Sequence, residues 1–241
     1  MKGVFEKETV VLPSSCNINA QMKLSGLLDI FMDDAMLHAE EIGVGISKFW
    51  PKRMFWVASK TRIVFKRNVN MAEEVTVRTW PERPGMLKCI RDYEMTKGEE
   101  TVAYGKTEWV IIDLDTKKIL KAEGAYPTEL EYEEKIVDDE PFLRIKNDFD
   151  DEVFGTYTVR SVDLDYGRHM NNVAYVRAIE GLFSSDEWQE RSYNGIEIQY
   201  KCSCYEKDVL SFYKKEEAGG TLIKASNDKG ETVMMAKLLN E

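Results

Sequence analysis

The chain has 241 residues, of which 43% are hydrophobic and 11% aromatic, and its net charge is −10. This is enough apolar material for one large or two small packed domains, while the mean hydropathy of −0.42 and the lack of any apolar run near 18 residues argue against a membrane-spanning helix. The acidic balance disfavours nucleic acid as the main partner, because phosphate binding draws on clustered Lys and Arg.

Residues 5–12 read as a strand, and Pro13-Ser14-Ser15 as a loop. From 22 to 42, Leu24, Leu27, Leu28, Phe31, Ala35, Leu37 and Ala39 recur at helical spacing, and Gly43 and Gly45 mark the stop. His38 falls near the end of that helix, where an imidazole or its cation suits the dipole. Runs rich in β-branched and aromatic residues over 55–65, 74–80, 87–96 and 100–112, joined by short turns, predict an antiparallel sheet wrapped around the helix. Between Ile42 and Ala72 the chain carries Lys48, Lys52, Arg53, Lys60, Arg62, Lys66 and Arg67 and no acidic residue. That window reads either as a solvated face or as a docking patch for an acidic partner.

Over 121–151 the periodicity dissolves into prolines and acidic residues, with Glu129, Glu131, Glu133, Glu134, Asp138, Asp139 and Glu140 between Pro127 and Pro141. Like-charge repulsion predicts a linker extended over the surface, with domains at 1–135 and 136–241. The order then repeats: a strand over 154–162, a helix over about 171–183 and strands over 193–204, 209–215, 220–227 and 232–239. Arg62-Ile63-Val64-Phe65-Lys66 is similar to Glu197-Ile198-Gln199-Tyr200-Lys201, and Glu74-Val75-Thr76-Val77 to Asp208-Val209-Leu210-Ser211. A duplicated helix-in-sheet unit of the α+β class accounts for both the length and the repetition.

The chemistry gathers in Asp163-Leu164-Asp165-Tyr166-Gly167-Arg168-His169-Met170-Asn171-Asn172-Val173-Ala174-Tyr175. Carboxylates, an imidazole and two amides precede a helix start, whose unpaired N–H groups can hold a carboxylate or polarise a carbonyl. Asn171 and Asn172 also suit plain capping, and the N–H groups over 171–173 are the candidate oxyanion donors. The matching stretch of the first half, Gln21-Met22-Lys23-Leu24, lacks the histidine and both asparagines. Cys16, Cys89, Cys202 and Cys204 are expected to be reduced thiols in the cytoplasm, since the first residues show no apolar signal region. With two histidines and no ligand spacing, no metal site is expected.

The sequence resembles the acyl-acyl carrier protein thioesterases, double hotdog enzymes, over nearly its whole length. The likeness lies in the helix at 24–43, in Phe55-Trp56-Val57, in 107–113, in Asp163-Leu164-Asp165 with His169, Asn171, Asn172 and Tyr175, and in Gln199-Tyr200-Lys201 leading to Cys204 and Asp208-Val209. It implies two tandem hotdogs, the first for the acyl-chain tunnel and carrier docking and the second with the catalytic motif. It also implies hydrolysis of acyl carrier thioesters to free fatty acids, which terminates fatty acid synthesis, without a cofactor; the sequence leaves monomer and homodimer both open. Asp165 matches the family's acidic residue, His169 its histidine and Cys204 its cysteine. Gly167 stands where the plant enzymes have the catalytic asparagine, and Ser203 where they have a glutamate. A thiolate leaves easily, so one general base and good oxyanion donors suffice. Asp165 is expected to serve as base or to attack directly, with His169 orienting it and Gly167 admitting a water, and Asn171, Asn172 and Cys204 complete the catalytic set. Leu24, Leu27, Leu28, Phe31 and Met32 either line an acyl tunnel or pack a core. An acyl-CoA hydrolase and a non-catalytic acyl-binding module are the alternatives.

Overall fold

The computed structural model describes residues 1–149 and 152–240, which form two compact units, Met1–Glu140 and Pro141–Glu241. Unit 1 contains β1 (Phe5–Val10), a 3-10 turn (Pro13–Ser15), α1 (Leu24–Glu41), α2 (Ile46–Phe49), a second 3-10 turn (Trp50–Lys52), β2 (Met54–Phe65), β3 (Glu74–Pro81), β4 (Cys89–Lys97) and β5 (Glu100–Asp113). Its strands are antiparallel in the order β1-β3-β4-β5-β2. The short α2 was not expected from the sequence.

The helix α1 packs against β1, β2 and β3. Leu27, Leu28 and Phe31 are fully buried, and Phe31 stacks on Tyr93 of β4 at 4.9 Å. Each such side chain contributes about 1.5–3 kcal/mol, so this stripe is the core that holds the unit together. The helix stops at Gly43, whose φ of +74° suits the left-handed residue that follows a helix. His38 is buried too, with Arg91 donating to Nδ1 at 3.0 Å and Nε2 facing the Lys2 carbonyl at 3.4 Å. Burial, and then Arg91, push its pKa down to about 4, so of the two forms that its position suits His38 takes the neutral imidazole.

The acidic segment differs from the solvated linker expected. Ala122, Tyr126 and Leu130 pack into a cluster with Ile42, Phe49, Cys89 and Ile111. Further on, the Trp80 indole donates to the Lys135 carbonyl at 2.9 Å, and Lys135 pairs with Glu94 at 2.7 Å. Asp138 accepts from Arg62 at 2.9 and 3.1 Å, and Lys106 donates to the carbonyls of Asp138, at 2.7 Å, and of Glu140. The cause is the outer face of the sheet, where register places Trp80, Asp92, Lys106 and Arg62 in one cross-strand row. Buried cations there need anions, and the segment supplies them. Asp150 and Asp151, the last residues of the expected linker, lie outside the described residues.

This pairing also revises the basic window. Arg62 is only 7% exposed and committed to Asp138, so it is no docking residue. Arg53 pairs with Asp115 at 2.8 Å and Arg67 with Glu73 at 3.1 Å and Glu100 at 3.2 Å, while Lys60 is half-buried. Lys48, Lys52 and Lys66 remain exposed. The three arginines of a window without acids in sequence are thus paired with carboxylates from outside it.

Unit 2 contains β6 (Val153–Thr158), a 3-10 turn (Ser161–Asp163), α3 (Asn172–Glu180), α4 (Ser185–Arg191), β7 (Gly195–Tyr200), β8 (Val209–Glu217), β9 (Gly220–Ser226) and β10 (Thr232–Leu239), with antiparallel strands in the order β7-β10-β9-β8-β6. The helix expected to reach residue 183 ends at Glu180, and α4 follows. The Ser184 hydroxyl accepts the Glu187 N–H at 3.2 Å while the Glu187 carboxylate accepts the Ser184 N–H at 2.8 Å, a reciprocal cap legible in the sequence as Ser-x-x-Glu. The repeat register shifts by one residue from that expected: Val10 opposes Glu74 and Thr158 opposes Val209, so Glu73, not Glu74, corresponds to Asp208.

Asp92 is fully buried in its cross-strand row, and neither carboxylate oxygen completes a hydrogen bond within the described residues. Burial, then the Glu82 charge, raise its pKa to about 8, against the opposing pull of Lys106. A raised folded pKa means that stability is full below the unfolded value near 3.9 and falls as pH rises toward 8. We therefore expect Asp92→Asn to flatten that decline and to exceed the parent at pH 8 by at least about 1 kcal/mol, or roughly 2–4 °C, in thermal unfolding followed across pH.

Candidate active site

The motif is built as a hairpin between β6 and α3. After β6 the chain makes the 3-10 turn, which Asp163 closes by accepting the Arg160 N–H at 2.7 Å and the Tyr157 hydroxyl on both oxygens at 2.9 Å. Asp163 is thereby a structural carboxylate. Leu164 and Met170 form an antiparallel bridge that frames residues 165–169. Within the frame, the Asp165 N–H donates to the His169 carbonyl at 2.8 Å and the Arg168 N–H to the Asp165 carbonyl at 3.0 Å, with Arg168 left-handed at φ 61°. The side chain of Asp165 completes the hairpin: Oδ1 accepts the His169 N–H at 3.1 Å. The exit is fastened by Met170 N–H to the Cys204 carbonyl and Asn171 N–H to the Asp163 carbonyl, both at 2.8 Å.

Asp165, Gly167 and His169 are each half-buried in this hairpin, and the His169 ring lies 5.1 Å from the ring of Tyr205. Sequence reasoning did not single out Tyr205, which no periodic pattern marks. Asn171 is exposed and serves as the N-cap of α3, its Oδ1 accepting the Val173 N–H at 2.8 Å. Of the expected oxyanion donors, the N–H groups of Asn171 and Val173 are thus already engaged. That of Asn172 donates to no acceptor among the described residues.

Cys204 sits apart from the others in kind. It is fully buried beside the Tyr175 hydroxyl, and burial pushes its thiol up to about 11, so it stays protonated at neutral pH. What Cys204 gives the site is its main-chain carbonyl under Met170.

Unit 1 repeats the main-chain bonds of this hairpin. Asn17 N–H donates to the Gln21 carbonyl at 2.7 Å, Ala20 N–H to the Asn17 carbonyl at 3.1 Å, Met22 N–H to the Val69 carbonyl at 2.8 Å and Lys23 N–H to the Ser15 carbonyl at 2.9 Å. Ala20 is left-handed at φ 56°, and Asn17 Oδ1 accepts the N–H of Gln21 at 3.1 Å and of Asn19 at 2.9 Å. Asn17 therefore stands for Asp165, Asn19 for Gly167, Gln21 for His169 and Val69 for Cys204. A carboxylate has become an amide and an imidazole a second amide on an unchanged backbone. Asp165 has a second carboxylate oxygen able to take a proton from water, and neither amide of the unit 1 copy can.

Two family models cover the chain: the acyl-ACP thioesterase N-terminal domain over residues 2–127 and the acyl-ACP thioesterase C-terminal domain over residues 146–239. Among curated relatives, a chloroplastic palmitoyl-acyl carrier protein thioesterase of Cuphea hookeriana is 20% identical over 234 residues, covering 90% of this chain and 56% of that protein. The chain spans about half the length of such relatives. Among solved structures, an acyl-ACP thioesterase from Bacteroides thetaiotaomicron superposes with a TM-score of 0.88 at 23% identity, covering 99% of this chain and 98% of that one. A 12:0-ACP thioesterase from Umbellularia californica gives 0.82 at 17% identity, with 97% and 95% covered. These structures share the double hotdog fold implied by the sequence, and the chain belongs to the acyl-ACP thioesterase family.

Proposed function

We propose that the protein hydrolyses acyl-acyl carrier protein thioesters and releases free fatty acids, with the reaction in unit 2. One observation carries this reading: of two copies of one hairpin, only that of unit 2 keeps a carboxylate and an imidazole, Asp165 and His169. Asp165 is the general base, with Oδ1 tied to the His169 N–H so that the carboxylate is held against the start of α3. Water held beside Gly167, which carries no side chain of its own, loses its proton to Asp165 and attacks the thioester carbonyl. The His169 imidazole, steadied by Tyr205, orients that water. The Asn172 N–H, at the positive end of α3, donates to the developing oxyanion, a contribution of roughly 3 kcal/mol for one such donor. Asn171 keeps that helix end in place by capping it. The thiolate then departs and the fatty acid is free. Unit 1, whose hairpin has no base, is left with recognition of the acyl chain.

Unit 1 shows that an asparagine maintains this hairpin. Asp165→Asn is accordingly expected to fold with the parent's thermal midpoint and to lose hydrolysis by about 10²–10⁴-fold, measured by thiol release from an acyl carrier thioester. A variant that keeps the parent's rate sinks the assignment. Cys204→Ala removes a protonated thiol but no main-chain bond, so its turnover should stay within about tenfold of the parent. A complete loss at normal stability would instead argue for a thiol mechanism.

A further inference from the structure

The exposed charges around the hairpin of unit 2 are lopsided. Over residues 157–177 and 201–209 the exposed charged residues are Arg160, Arg168, Arg177, Lys201 and Lys207 on one side and Glu206 alone on the other. Among the described residues, the side chains of Arg160, Arg168 and Lys207 make no ion pair. The Lys207 N–H donates to the Val159 carbonyl at 2.8 Å, which sets Lys207 beside Arg160, and Arg168 lies in the hairpin of Asp165. Interleaved with these cations are large apolar side chains left in solvent: Val162 at 83%, Tyr166 at 56% and Tyr205 at 53% exposure.

Unit 1 is an internal control for what the backbone requires. Arg160 corresponds to Leu12, since each carbonyl accepts the N–H three residues on at 3.0 Å. Arg168 corresponds to Ala20, and Lys207 to Ala72, which bonds the Val11 carbonyl at 2.9 Å. The left-handed φ of 61° at Arg168 and 75° at Lys207 recurs as 56° at Ala20 and 67° at Ala72. Counted from the helix caps Asn171 and Lys23, Arg177 falls on Asp29. Lys201 keeps a basic counterpart in Lys66, each donating its N–H at 2.9 Å to a valine carbonyl, but the same main chain forms without Arg160, Arg168, Arg177 and Lys207, so packing does not explain those four. They surround the copy that carries Asp165 and are missing from the copy that does not.

Resting on the thioesterase reading above, we propose that Arg160, Arg168 and Lys207, with Val162, Tyr166 and Tyr205 between them, are the docking face for the acidic, amphipathic surface of the acyl carrier protein. A chain of net charge −10 repels an acidic partner overall and needs a local face of opposite sign to receive it. The face borders the hairpin to which the thioester must be delivered. It replaces the window over 48–67, where Arg53, Arg62 and Arg67 already hold carboxylates.

The test exchanges each cation for the residue unit 1 carries, in the triple variant Arg160→Leu, Arg168→Ala, Lys207→Ala, and compares one acyl group on the carrier protein, on CoA and on N-acetylcysteamine. With the carrier, KM should rise by at least about tenfold and lose most of its salt dependence, while kcat/KM for the N-acetylcysteamine thioester is unchanged. An unchanged KM for the carrier overturns the proposal, as does an equal loss on all three thioesters. A loss on CoA as deep as that on the carrier also overturns it, because the cations would then read the phosphates of the arm. Anisotropy of labelled holo-carrier protein separates docking from catalysis: even if no thioester is hydrolysed, binding by the parent that the triple variant loses upholds the face. Absence of binding by the parent overturns it.

Discussion

A single side-chain oxygen, placed to accept a main-chain N–H four residues on, closes the hairpin that feeds each principal helix. In unit 1 it is Asn17 Oδ1 and in unit 2 Asp165 Oδ1. Once that bond is made, the following N–H groups fall onto the carbonyls of Val69 and Ser15 in one unit and of Cys204 and Asp163 in the other, and the helix starts at a set height. An amide serves this geometry as well as a carboxylate does. The charge of Asp165 is thus surplus to the fold, and in the mechanism proposed above it is this surplus that the reaction uses.

The same economy recurs around the loop. Asp163 is spent on the turn and Asn171 on the helix cap, and Cys204 contributes a carbonyl rather than a thiol. These residues look reactive in sequence because they are polar and close together. Among the described residues, the second oxygen of Asp165, the His169 ring nitrogens and the Asn172 N–H make no hydrogen bond. Arg160, Arg168 and Lys207 follow a similar logic, being dispensable to the backbone and present in one copy only.

Unit 1 shows how buried charge organises a chain that has no periodicity. Arg62 and Lys106 sit on a sheet face in register with Asp92, and the carboxylate and carbonyls of 138–140 satisfy them. The acidic segment is held by these bonds and by Tyr126 and Leu130, in spite of its like charges. Desolvated cations gain more from those partners than the segment gains from solvent.

Runs of β-branched and aromatic residues between turn signals made the strands of the described residues legible, and a period of 3.6 did the same for the cores of α1 and α3, because burial of one helix face imposes that period on the sequence. The duplication and the correspondence of Gln21 with His169 were equally legible, since both are patterns along the chain. The two short helices were not, having too few turns to show a period, although Ser184 and Glu187 marked one of them. Tertiary structure alone decided which charges were free. Arg62 and Lys48 look alike in sequence, yet one is buried against Asp138 and the other is exposed, because partners come from residues far away in the chain. Tertiary structure also gave the physical reason for separating Asp163 from Asp165, two residues apart. Hydrogen-bond commitment depends on where the backbone brings its N–H groups, and no spacing of residue types records that.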